Sequence, residues 1–278
     1  MFFNKNNIYA GFSLILIAIT MIFIASCSKK DVPPSDPTQG LTKLSEGYAA
    51  GAATKVEVYT KEAVISTGFT KFYIALSDSV SGKRLEDAHI QLTPMMNMST
   101  MQHSAPYENP ESETAVNYLY PCSVVFTMPS MGGSWTVKLT IHNHLTNKEG
   151  SLTIPVTVKE PTSSRLKSFI ALHDGSKYFI SLIEPSTPKV GINDLEISIY
   201  KKMSMMSFPA DSSLLATFIP EMPTMGHSSP NNVNPVHIRN GHYKGKVNFT
   251  MTGLWRLNFD CMSGAAIADT TQSFDIIF

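Results

Sequence analysis

Charge is what this 278-residue sequence has least of. Its 22 Lys and Arg residues balance 22 Asp and Glu, and together they make up only 16% of the chain. With no net charge, the chain lacks the electrostatic footprint of a nucleic-acid or polyanion binder. Helical signals are missing too. No segment keeps a helical apolar period over three turns, and there is no heptad run or basic amphipathic stretch. That argues against bundles and coiled coils. Cysteine is confined to Cys27, Cys122 and Cys261. The sequence has no Gly-x-Ser-x-Gly elbow, no His-Glu-x-x-His and no phosphate-cradling glycine loop, so an enzyme is not expected. Glu108, Glu111 and Glu113 lie in a polar loop with no matching set elsewhere.

The one long apolar run lies at the start. Lys5 precedes an apolar stretch from Phe12 to Ile24, which reads as the h-region of an export signal. It ends Ile24-Ala25-Ser26-Cys27, which resembles a bacterial lipobox. The resemblance implies removal of residues 1–26, lipidation of Cys27 and anchoring to a bacterial membrane outside the cytoplasm. Residues 27–47 are rich in Lys, Asp, Pro, Ser and Gly and read as a flexible tether.

The remainder reads as short strands. Trp135, Val137, Leu139 and Ile141 alternate with Thr136, Lys138 and Thr140, the period of a half-buried strand. The pattern occurs twice. Tyr120-x-x-x-Val124-x-Phe126-Thr127-Met128 matches Tyr243-x-x-x-Val247-x-Phe249-Thr250-Met251, and Gly133-Ser134-Trp135 matches Gly253-Leu254-Trp255. Upstream, Phe72–Leu76 resembles Tyr178–Leu182, and Asp87–Ile90 resembles Asp194–Ile197. Two antiparallel β-sandwiches are expected, at residues 48–160 and 161–278, joined near Lys159–Ser164. Alternation places Cys122 and Cys261 in separate cores, so both are expected to be free thiols.

Methionine and histidine carry the only chemical motif, and it is repeated. Met98, Met101 and His103 have the same spacing as Met222, Met225 and His227 (222−98, 225−101 and 227−103 all give 124). Thioether and imidazole together select Cu(I) over hard cations. Met251 is a possible fourth ligand in the second loop, and Met128 is its counterpart in the first. The competing reading is that these methionines fill irregular gaps in the cores. Pro223 and Gly226 lie in the second loop but have no counterparts in the first, so the second loop is expected to bind more tightly. His142 and His144 share one strand face and could hold a divalent metal. The placement of Met95, Met96 and Met131 is not fixed by the pattern. His89, His173, His237 and His242 read as exposed or turn residues.

The order Gly-turn, Asp-Ala-x-Ile, Met-x-x-Met-x-His, Tyr-x-x-x-Val-x-Phe-x-Met, Gly-x-Trp resembles the YtkA-like domain, related to FixH-like proteins. The second copy carries it more fully, with Met222-Pro223-Thr224-Met225-Gly226-His227 and Gly241-His242-Tyr243. In the first copy Tyr118 stands where the second has Gly241. The resemblance implies small immunoglobulin-like sandwiches of the cell envelope associated with copper handling. Two functions are therefore expected to compete. One is a lipoprotein that binds or delivers Cu(I) to a recipient protein. The other is an interaction lipoprotein with methionine as core filler.

Overall fold

The computed structural model describes residues 36–278. The lipobox, Cys27 and most of the tether lie outside them. Among the described residues there is no α-helix and no helix long and apolar enough to cross a membrane. The chain forms two β-sandwiches.

The first comprises β1 (Thr42–Ala49), β2 (Thr54–Thr60), β3 (Ile65–Ser66), β4 (Gly68–Asp78), β5 (Ala88–Met98), β6 (Gln102–His103), β7 (Tyr107–Glu108), β8 (Tyr120–Phe126), β9 (Gly133–Asn143), β10 (Lys148–Val156) and β11 (Val158–Lys159). The second comprises β12 (Leu166–Ile170), β13 (Lys177–Glu184), β14 (Gly191–Lys202), β15 (Leu214–Met222), β16 (His227–Ser228), β17 (Val233–Arg239), β18 (His242–Phe249), β19 (Leu254–Ser263) and β20 (Ala266–Ile277). Strand β1 takes in residues 42–47, which composition alone had assigned to the tether. Its Lys43 and Glu46 pair with each other and with β2, so polar content here marks an edge strand.

Strand order is the same in both sandwiches. One sheet runs β1-β2-β4-β8-β7 in the first and β12-β13-β14-β18-β17 in the second. The facing sheet runs β10-β9-β5-β6 and β20-β19-β15-β16. Each sandwich closes over its own core. Trp135 packs with Phe126, Tyr120 and Cys122 in the first, and Trp255 with Phe249, Tyr243 and Cys261 in the second. Both cysteines are free. Burial pushes the Cys122 thiol well up and the Cys261 thiol up to about 12.

The topology corrects the upstream half of the repeat. Ile74 faces Tyr120 and Ile197 faces Tyr243, so β4 corresponds to β14. Phe72–Leu76 therefore matches the strand of Leu195–Ile199, and Tyr178–Leu182 matches β2. Likewise β5 corresponds to β15, not to Asp194–Ile197. Neighbouring strands all carry the same apolar alternation, so pattern alone permits a slip of one whole strand.

Candidate functional site

Each sandwich has a hairpin that brings a histidine back over its tryptophan. In the first, Met96 pairs with Trp135 on one side and with His103 on the other. In the second, Met222 pairs with His227, and the register Glu221–Arg256 carried one step places Met222 beside Trp255. Met222 thus corresponds to Met96, not to Met98 as equal spacing suggested. Shared hydrogen bonds fix the equivalence. Ser104 Oγ donates to the Pro94 carbonyl at 2.9 Å and Ser228 Oγ to the Pro220 carbonyl at 2.6 Å. Asn109 Oδ1 accepts from Leu92 N–H, and Asn234 Oδ1 accepts from Phe218 N–H.

The turns explain the slip. The first hairpin closes tightly, with Met98 N–H donating to the Met101 carbonyl. The second makes a wider turn, with Met225 and Gly226 N–H both donating to the Met222 carbonyl. Gly226 takes φ +64° there, a conformation that Gln102 at the same offset would adopt only under strain.

The candidate ligands are unevenly placed. His103 is buried under the first hairpin, its ring edge-on to Trp135 at 5.3 Å. Its Nδ1 lies 2.8 Å from the Ser104 carbonyl, an acceptor only, so Nδ1 carries the proton. Nε2, the other ring nitrogen, stands 3.1 Å from the Met128 sulfur. Met98 packs partly against the core, while Met101 is half exposed at the hairpin tip. In the second sandwich His227 repeats the Nδ1 contact, to the Ser228 carbonyl at 3.2 Å. Met222 is buried in the core, whereas Met225 is 57% exposed and Met251 38% exposed. Trp135 and Trp255 each donate their indole N–H, to the Met128 and Met251 carbonyls, both at 2.9 Å.

Sequence reasoning missed the junction between the sandwiches. His242, read from the sequence as an exposed or turn residue, is buried at the start of β18. Its Nε2 lies 2.8 Å from Glu108 Oε1 of the first sandwich, and its Nδ1 lies 2.7 Å from Glu196 Oε1 of its own. Tyr200 donates to Glu108 Oε1 at 3.1 Å and Ser123 to Oε2 at 3.1 Å, while Lys244 pairs with Glu196 at 3.2 Å. Burial disfavours charge here, but the hydrogen bonds to Glu108 and Glu196 outweigh it and raise His242 to about 9. Both carboxylates are desolvated too, yet the same imidazole holds them below the ordinary glutamate range. Around this centre Arg239 pairs with Glu111, Phe69 N–H donates to Ser181 Oγ at 3.0 Å, and Ser104 N–H donates to the Met205 carbonyl at 2.9 Å. A cavity of about 740 Å³ lies alongside, lined by Phe69, Tyr73, Arg165 and Glu184 among others. A signal was present in the sequence. The 123-residue offset places His242 where the first copy has the buried Leu119, an imidazole at an apolar position.

Among the described residues, no three His, Cys, Asp or Glu side chains already converge as metal ligands. No family model matches the chain, and no curated protein sequence matches it. Among solved structures it is similar to domains 5–6 of the S-layer protein SbsC, at 11% identity and TM-score 0.29, covering 85% of this chain and 98% of that one. It is also similar to InvD of Yersinia pseudotuberculosis, at 12% identity and TM-score 0.24, covering 76% of this chain and 53% of that one. Scores this low carry no argument about function.

Proposed function

We propose that the chain is a cell-envelope lipoprotein that binds Cu(I) at the hairpin end of its first sandwich. His103 and Met128 would be the central ligands, with Met98 and Met101 of the same hairpin available to complete the set. The observation supporting this reading is the 3.1 Å approach of His103 Nε2 to the Met128 sulfur, which sets a nitrogen and a thioether side by side under the hairpin. A soft, monovalent ion between neutral nitrogen and sulfur donors satisfies both. The second loop is the weaker candidate on this reading, because Met222 is committed to the core and Met225 and Met251 are spread at the surface. That reverses the order expected from Pro223. Membrane attachment through Cys27 and delivery to a recipient protein complete the proposal.

The test is a competitive Cu(I) titration of the full chain under anaerobic, reducing conditions. Met128→Leu conserves volume and should cost less than about 1.5 kcal/mol of stability. It should weaken Cu(I) binding at least tenfold, while Met222→Leu should leave it unchanged. Equal affinity in wild type and Met128→Leu would reject the copper reading and favour an interaction module with methionine as filler.

A further inference from the structure

We propose that His89, His142 and His144, on the outer face of the first sandwich, form a second metal site, for a divalent transition-metal ion of borderline softness such as Zn(II). The site goes beyond the Cu(I) reading and stands independently of it. It lies toward the opposite end of β5. Seven residues separate His89 from Met96, roughly 23 Å along a strand at about 3.3 Å per residue.

Antiparallel register assembles the cluster. His89 on β5 sits directly opposite His142 on β9. His144 follows two residues on, and Asp87 lies two residues before His89, which brings Asp87 and His144 opposite each other in turn. All four are on the solvent side, since the intervening Ala88 and Asn143 are buried. The rings of His142 and His144 have centres 5.3 Å apart. On one Zn(II), with Zn–N of about 2.0–2.1 Å, two imidazole centres lie about 5 Å apart.

Two of the three rings, His89 and His144, have the outer contacts of metal-binding histidines. His144 Nδ1 is 2.7 Å from Asp87 Oδ1, and His89 Nδ1 is 3.0 Å from Glu113 Oε1. A carboxylate on Nδ1 fixes the tautomer and leaves Nε2 free to ligate, the arrangement usual around zinc histidines. The three rings do not yet converge on one point. His89 and its partner Glu113 are the pair to turn together, both on exposed side chains (54% and 60%). The backbone beneath is rigid. Asn143, between His142 and His144, is fully buried, with its amide on the Ala52 carbonyl and Thr54 hydroxyl and its oxygen accepting from Leu145 and Thr146.

The second sandwich shows that the fold does not require these histidines. At the positions of His89 and His142 it has Leu215 and Met262, again directly opposite each other. Ser213 and Gly264 replace Asp87 and His144. The same scaffold closes without the cluster, so the imidazoles are an addition to it.

The experiment is calorimetric titration of the full chain with ZnCl2, beside the variants His89→Asn/His142→Asn, Asp87→Asn/Glu113→Gln and Met128→Leu. The first pair removes two ligands from the solvent-facing side of the sheet and should abolish saturable one-to-one binding while leaving the thermal midpoint unchanged. The second pair should lower affinity by about 10–100-fold. Met128→Leu should leave Zn(II) binding intact, which separates this site from the Cu(I) reading. Undiminished Zn(II) affinity in His89→Asn/His142→Asn, or no saturable uptake by the wild-type chain at micromolar Zn(II), would overturn the proposal.

Discussion

Two residues in each core concentrate the chemistry of burial, a tryptophan and a cysteine. Trp135 and Trp255 are both fully buried, and each satisfies its indole N–H on a methionine carbonyl of the neighbouring loop. Trp255→Ala removes a large side chain and that hydrogen bond, so the second sandwich should lose about 3–5 kcal/mol, read as a drop in its denaturation midpoint. Cys122 and Cys261 are desolvated in separate cores, and burial favours the neutral thiol over the reactive thiolate. Iodoacetamide should leave both untouched in the folded chain and modify both in denaturant without reductant. Modification of either under native conditions, or a bridge joining them, would contradict this placement.

Strands and their turns show where sequence pattern suffices and where it does not. Strand β9 was legible because Trp135, Val137, Leu139 and Ile141 alternate with polar residues, and all four are buried. The matching tryptophan, tyrosine and Gly-x-Trp positions kept their offsets. The Met/His hairpin did not. Met-x-x-Met-x-His has one spacing in both copies, but Met98 and Met222 lie two positions apart in the sheet, because turn type decides register. A residue pattern carries no direct record of turn width. Gly226 at φ +64° is the residue that permits the wider turn. Gly226→Ala should cost about 1–2 kcal/mol in thermal stability, since alanine enters the left-handed region only with strain. An unchanged midpoint would mean that the turn tolerates a β-carbon after all. The first copy shows the strain elsewhere: Asn117 and Tyr118 take φ 50° and 63°, where Asn240 and Gly241 take 43° and 72°. Tyr118 holds that conformation beneath the Arg84 guanidinium, 4.5 Å from its ring centre.

At the scale of the whole molecule the two sandwiches are joined by more than the linker near Lys159–Ser164, because side chains of each meet at the junction. Glu108 looked like one of several loop carboxylates, because Tyr200 and His242, its partners in the other sandwich, lie 92 and 134 residues away in sequence. In the fold it meets His242, which Glu196 holds from the other side, in a partly desolvated ion cluster between the sandwiches. Removing His242 leaves Glu108 without a cation and Glu196 with only the half-exposed Lys244, so His242→Gln should cost about 3 kcal/mol at neutral pH, the low end for a broken buried pair. Replacing all three groups, in Glu108→Gln/Glu196→Gln/His242→Leu, should recover most of that loss, because an uncharged cluster carries no such debt of desolvation. The pH dependence follows from the directions of the shifts. His242 rises from 6.5 to about 9 on folding, so its stabilisation is complete below its unfolded pKa and is lost as pH climbs through 9. Glu108 and Glu196 fall below 4.5, so theirs is present above that value and is lost in acid as pH drops through the lowered pKa values. On these groups alone the wild-type chain should be most stable between about pH 4.5 and 6.5, with the His242 contribution declining above 6.5 and gone past about 9. Denaturant melts at pH 7 and pH 10 should show a loss in the wild type that the triple variant, which shares every other titrating lysine and tyrosine, does not show. If wild type and triple variant lose the same stability over that interval, His242 is not the cation that joins the two sandwiches.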